Sequence, residues 1–194
     1  DETVVVGWRG NKCIQEKWFR ERDTTVAVDK VEAILLSTPG VDKAITVINA
    51  DDGGVSKAIT DGLARRGWII RRMLNQWAAR NKRDFGNIGA ENWFRLGRLI
   101  SQKLLILSNL SEKTISQLKS RHYRKGEKDR TYLKKKSEEK AEGFDSPDRA
   151  DAHVLALCDL TLEDFLGETN SRDYKPKHLV DIDTLVKEQM DSKY

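Results

Sequence analysis

Four carboxylates stand where acids could do chemistry. Asp51 and Asp52 follow the apolar run Ala44-Ile45-Thr46-Val47-Ile48 and are succeeded at once by Gly53-Gly54. Asp148 and Asp151 lie in Ser146-Pro147-Asp148-Arg149-Ala150-Asp151-Ala152, ahead of Val154, Leu155, Ala156, Leu157 and Cys158. On a helix these two acids share a face, and Leu155 continues it. An acid at the C-terminal end of a strand, beside glycines that permit close approach, suits a divalent cation. An Asp-Gly turn without chemistry explains the same residues. Asp151 falls on the stripe that should face the core, where a carboxylate is costly unless it is paired or coordinates a metal. Two acids in a first helical turn also complement the helix dipole. Carboxylates from two distant elements at one sheet mouth would repel each other. A pair of divalent cations about 4 Å apart would neutralise them and serve in-line phosphodiester hydrolysis.

Competing chemistries find little support. His122, His153 and His178 are scattered and read as structural or exposed. Cys13 and Cys158 have no metal-ligand spacing and read as reduced cytosolic thiols. There is no Gly-Lys-Ser/Thr phosphate loop, no Gly-x-Ser-x-Gly and no His-Glu-x-x-His. The 194 residues are 34% charged with a net charge of +4, distributed unevenly. Residues 65–83 hold seven basic residues and no acid, and 112–140 hold eleven against five, whereas 159–194 hold nine acids against five bases. Two basic segments and an acidic tail point to a polyanion-binding face, with a merely solvated surface as the alternative. Arg71, Arg72, Arg80, Lys82 and Arg83 are candidate phosphate contacts, and Trp77 among them could stack. No apolar run reaches the roughly 20 residues needed to span a membrane.

The elements that would position these residues follow from pattern. Thr3-Val4-Val5-Val6-Gly7-Trp8, the turn Gly10-Asn11 and residues 12–21 predict a β-hairpin. Thr24 or Thr25 caps a helix bearing Ala27, Val31, Ile34 and Leu35. A strand over 43–50, a helix with Val55, Ala58, Ile59 and Leu63, and the strand Trp68-Ile69-Ile70 predict a parallel βαβ unit. Residues 75–87 read as irregular and 90–102 as a helix with Trp93 on its inner face. A brief strand is expected at Leu104-Leu105-Ile106-Leu107, then a helix capped by Ser111, a polar turn over 124–129 and a strand over 130–136. Residues 137–145 read as a charged loop. Ser146 as N-cap and Pro147 as first helical residue open the next helix. A loop over 167–177 and a weak acidic helix or tail over 179–190 close the chain.

Four stretches in this order resemble the C-terminal nuclease domain of the large terminase subunit of tailed bacteriophages. They are Asp1-Glu2-Thr3-Val4-Val5-Val6 with Arg9-Gly10-Asn11-Lys12; Asp51-Asp52-Gly53-Gly54-Val55 with Asp61-Gly62-Leu63; Asn87-Ile88-Gly89-Ala90-Glu91-Asn92-Trp93; and Ser146 to Ala152. The resemblance implies an α/β fold of the RNase H-like class, a mixed β-sheet flanked by helices. The nuclease domain would occupy 1–166, with an acidic extension over 167–194. It implies a metal-dependent endonuclease cutting concatemeric double-stranded viral DNA, using two Mg²⁺ or Mn²⁺ ions. Asp51 matches the family's second catalytic acid and Asp151 its last, Asp148 is a possible helper in the same turn, and Lys136 lies in a matching lysine-bearing segment that could meet DNA. The implied partners are the ATPase domain of the same terminase, the portal and the small terminase subunit, in the host cell cytoplasm and away from membrane. The family's first acid lies on a first strand upstream of the stretch matching residues 1–6. The expectation is that this strand is absent here, and that the polypeptide alone is inactive or badly folded while a longer parent is active. A non-catalytic DNA-binding or docking module, and another RNase H-like nuclease such as a junction resolvase, are the alternatives.

Overall fold

The computed structural model describes residues 2–159. Strands β1 (Thr3–Arg9) and β2 (Lys12–Phe19) form the expected hairpin, antiparallel, with Thr3 opposite Phe19 and an irregularity at Gly7/Trp8. Helix α1 (Thr24–Ser37) follows. Its N-cap is Asp23 rather than Thr24 or Thr25: the Asp23 carboxylate accepts from Thr25 N at 2.8 Å and Val26 N at 3.3 Å. A carboxylate one residue earlier reaches both orphan amides of the first turn.

The βαβ unit is present as β3 (Val47–Asp51), α2 (Val55–Arg65) and β4 (Ile69–Met73), with β3 parallel to β4 and Asp51 opposite Met73. The first strand starts later than its apolar run predicts. Asp42 turns the chain there, accepting Ala44 N on its side chain and Thr46 N on its carbonyl, both at 2.8 Å. Gly62 lets α2 approach α1, since a Cβ there would come within 2.5 Å of Val28 Cγ2.

Helix α3 (Ile88–Ser101) is capped by the Asn87 side chain, which accepts Ala90 N at 2.9 Å. The strand expected at 104–107 is not formed. Leu105 and Leu107 are buried in the core with α3, and the ladder amounts to one bond, Ile106 N to Asn11 O at 2.9 Å. The run is apolar because it packs, not because it pairs. Helix α4 (Glu112–Ser120) begins at Ser111 as expected, and β5 (Tyr123–Lys125) pairs antiparallel with β6 (Thr131–Leu133). The strand expected over 130–136 stops at Leu133, and Lys136–Ala141, expected as the end of that strand and the start of a charged loop, is helix α5. Helix α6 (Asp148–Ala156) has Pro147, not Ser146, at its cap position.

The strands hydrogen-bond in three pairs rather than as one continuous mixed sheet. Helix α6 packs on both β1 and β3 and so ties the first two pairs together. Beyond the strands, α1 packs on β1 and α2 on β3 and β4. One core cluster joins Val28, Val31, Leu35, Leu63 and Trp68; another joins Trp93, Leu96, Leu99, Leu118, Ala150 and Val154. The molecule is thus α/β, helices flanking small sheets. Cys13 and Cys158 are both buried and free. Among the described residues no helix is long and apolar enough to cross a membrane. The domain boundary at 166, the acidic extension 167–194 with its loop and helix, and His178 lie outside the described residues.

Candidate metal centre

Adjacent strand residues point to opposite faces, and this separates Asp51 from Asp52. Asp52 accepts from Arg72 Nη1 at 2.7 Å and Thr60 Oγ1 at 3.1 Å, while Arg72 Nη2 reaches Asp61 at 2.6 Å. Burial opposes ionisation of Asp52, but these donors outweigh it and hold its carboxyl below the ordinary value. Arg72 is therefore committed to the β3–α2 corner. Asp51 faces the other way. Among the described residues its one hydrogen-bond donor is Gly53 N, 3.3 Å from Oδ1. Gly54, at φ 56°, adopts the left-handed conformation that turns the chain from Asp51 into α2.

Asp151 comes from α6. Its Oδ1 accepts the Trp93 indole N–H at 2.9 Å, and its Oδ2 pairs with Lys136 Nζ at 2.6 Å. Lys136 is the first residue of α5, with a half-exposed side chain. α5 is fastened by Glu139, which forms a buried ion pair with Arg121 and accepts His122 N at 2.9 Å. The Arg121 guanidinium lies 5.9 Å from the Trp93 ring centre. One chain of contacts thus runs Glu139–Arg121–Trp93–Asp151–Lys136 and closes on α5.

Asp148 is also near Lys136, at 3.8 Å, but both its oxygens serve the backbone arrangement. Oδ1 accepts Ser146 Oγ at 2.6 Å and Oδ2 accepts Glu2 N at 2.9 Å. Glu2 in turn binds Arg149 Nε at 2.9 Å and Lys113 at 3.1 Å. Asn49, on the same face of β3 as Asp51, donates to Leu155 O at 3.0 Å and docks α6 on the strand. His153 is buried: Nδ1 accepts from Trp8 Nε1 at 2.9 Å, which leaves Nε2 as the donor to Glu16, 3.2 Å away. Burial alone would raise the Glu16 carboxyl, but hydrogen bonds from His153, Ser111 and Thr114 bring it down to about 2.

Burial pushes the Asp51 carboxyl above its ordinary value. The Gly53 N–H and Lys136 pull against that, and the like charges of Asp151 and Asp52 add to it. Asp51 thus feels the charge of Asp151 and, with opposite sign, that of Lys136, which is paired with Asp151. Two carboxylates against one ammonium leave the site negative. Mg²⁺ is commonly held by one or two carboxylates and keeps several waters, so the donor set present fits a hydrated hard divalent cation. Among the described residues no group of three or more His, Cys, Asp or Glu is arranged to hold a metal.

Of the expected phosphate contacts, Arg71 and Arg80 both pair with Asp159, Arg80 at 3.3 Å. Lys82 and Arg83 are exposed, with Arg83 4.0 Å from Asp84. Glu91 orders the start of this segment by accepting Arg80 N at 2.6 Å and Asn81 N at 3.2 Å. Trp77 is half exposed at 48%. Sequence reasoning missed Trp93 as a partner of Asp151. A buried indole N–H needs an acceptor, and the acid on the inner stripe of α6 was the signal. The Arg121–Glu139 pair and Asn49 had no comparable local signal.

No protein-family model matches the chain, and no curated protein does. Solved structures do share its fold. A lysine-to-alanine variant of the nuclease domain of the large terminase subunit of bacterial virus Sf6, with manganese, superposes with a TM-score of 0.63 over 79% of this chain and 82% of that one, at 15% identity. The same variant with calcium matches over 81% and 82% at 15% identity, also with a TM-score of 0.63. A third structure, with manganese and β-thujaplicinol, gives 0.63 over 81% and 82% at 16% identity. At this identity the likeness is one of fold: the chain has the RNase H-like α/β fold of the terminase nuclease domain.

Proposed function

We propose that the chain is the nuclease domain of a large terminase subunit, a metal-dependent endonuclease that cuts concatemeric double-stranded viral DNA during genome packaging. The observation that carries this reading is the docking of α6, which bears Asp151, against β3, which ends in Asp51, through the Asn49–Leu155 bond, with Lys136 paired to Asp151. Asp51 and Asp151 would hold the divalent metal, Mg²⁺ or Mn²⁺, as a pair of ions in the active complex. Bound there, the metal would supply positive charge to the reacting phosphodiester and acidify the attacking water. Trp93 fixes the rotamer of Asp151 through Oδ1, so that the carboxylate is held before substrate arrives. Lys136 pairs with Asp151 Oδ2 and offers its exposed side to a backbone phosphate. Lys82 and Arg83, exposed beyond the Glu91-ordered loop, are phosphate contacts, joined by Arg71 and Arg80 when they exchange Asp159 for DNA. Asp148 shapes the turn and stays a helper of the site. The ATPase domain of the same terminase, the portal and the small terminase subunit complete the machinery, which works in the host cytoplasm.

Because no third carboxylate joins the two among the described residues, a DNA-binding module without catalysis is the second reading. Plasmid cleavage in Mn²⁺ by the intact protein separates them. Asp151→Asn should lower the cleavage rate about 1,000-fold or more, with folding and DNA affinity retained. Cleavage at the wild-type rate by that variant would remove Asp151 from the mechanism.

A further inference from the structure

The first turn of α6 carries Asp151, and it lacks a cap of its own. Pro147 contributes no side-chain bond to the helix amides. Ser146, the nearest residue that could, spends its hydroxyl on Asp148 Oδ1 at 2.6 Å. Helix ends fray when their first amides are unsatisfied. Those of α6 are satisfied from another helix. Gln117 of α4, itself buried, accepts Arg149 N at 2.9 Å and Ala150 N at 3.1 Å on Oε1, and donates from Nε2 to Ser146 O at 2.9 Å. One side-chain amide therefore holds three backbone groups that bracket the start of α6. Asp151 is the next residue.

We propose that Gln117 is a positioning residue for the metal centre: its amide acts as a long-range cap that sets where α6 begins and so where Asp151 presents its carboxylate. The proposal rests on the reading of Asp151 as a metal ligand. Gln117 touches neither Asp51 nor Asp151, so it acts through the backbone alone. Displacing a catalytic group by about 1 Å can cost two orders of magnitude in rate, and a first turn whose amides lose their acceptor frays. Two features of the amide can be separated. The acceptor oxygen caps Arg149 and Ala150, whereas the donor nitrogen only steadies Ser146. Gln117→Glu keeps the first and replaces the second with a carboxylate oxygen facing the Ser146 carbonyl. Gln117→Met keeps the length and loses both.

The test is a Mn²⁺ titration of the intact protein by calorimetry, paired with hydrogen exchange of the metal-free protein and DNA binding in Ca²⁺. Gln117→Met should weaken Mn²⁺ about tenfold or more and unprotect the Arg149 and Ala150 amides, with DNA affinity within about twofold of wild type. Gln117→Glu should keep both amides protected and lose less Mn²⁺ affinity than Gln117→Met. If Gln117→Met does not fold, Gln117→Asn, whose amide is withdrawn by one methylene, takes its place with the same expectation. Wild-type Mn²⁺ affinity in the variant that lacks the acceptor, or equal loss in both variants, would overturn the proposal. Asp151→Asn is titrated alongside. Should it bind Mn²⁺ as wild type does, the metal-ligand reading itself fails; should it alone lose Mn²⁺, only the role of Gln117 is overturned.

Discussion

The two acids of the proposed centre are held in opposite ways. Asp151 is gripped by side chains from two other helices: Trp93 of α3 on one oxygen and Lys136 of α5 on the other. Behind these stand the buried Arg121–Glu139 pair and the Gln117 amide. Asp51 sits at a strand end before Gly53-Gly54, with a single backbone amide on its carboxylate among the described residues. One side of the site is a packed network, the other a strand tip beside a glycine turn. The difference teaches a division of labour. The network sets the position of one carboxylate and gives it a paired cation. The strand tip presents a carboxylate that burial and like charge leave short of compensation, which is where a cation gains most.

This contrast can be broken from the network side first. Glu139→Ala leaves the Arg121 guanidinium buried without its partner, and breaking such pairs costs about 3–5 kcal/mol. Denaturant unfolding should show that loss, together with impaired cleavage as α5 and Lys136 come loose. Stability unchanged in Glu139→Ala would mean the network is decoration. A smaller effect is expected from Trp93→Phe, which keeps most of the ring and removes the N–H. A hydrogen bond to a charged group contributes about 1.5–3 kcal/mol, and single-turnover cleavage should fall about tenfold while DNA affinity holds. The smallest effect belongs to Asp51. Its carboxyl titrates higher folded than its ordinary 3.8, so the folded state binds the proton more tightly than the unfolded one. Asp51 therefore contributes most to metal-free stability below that value, and the contribution is lost as pH rises through the folded pKa. Asp51→Asn should raise the metal-free melting temperature slightly at neutral pH, by about one degree, with the gain vanishing towards pH 4. A gain that grew on acidification would contradict the assignment.

What could be read in advance was local. The hairpin announced itself through β-formers around Gly10-Asn11, the βαβ unit through alternating period, and α4 through Ser111. Trp68 and Trp93 were legible as core. The two acids were legible because each offends a local rule: Asp51 ends an apolar strand, and Asp151 interrupts an apolar stripe. The rest depended on residues far apart in the chain. α5 is short and highly charged, and what fastens it is Glu139 reaching back to Arg121 and His122. Leu105 and Leu107 look like a strand because buried helix contacts and buried ladders demand the same apolar residues. The cap of α6 comes from Gln117, about thirty residues away, so the Ser146-Pro147 pair suggests the wrong acceptor.

Calorimetric titration of the metal-free intact protein with Mn²⁺ reads whether Asp51 and Asp151 hold one metal centre between them. Binding should be saturable and weaken about 100-fold or more in Asp51→Asn and in Asp151→Asn alike, with little further loss when the two are combined. Mn²⁺ binding that survives either substitution unchanged would contradict a shared centre.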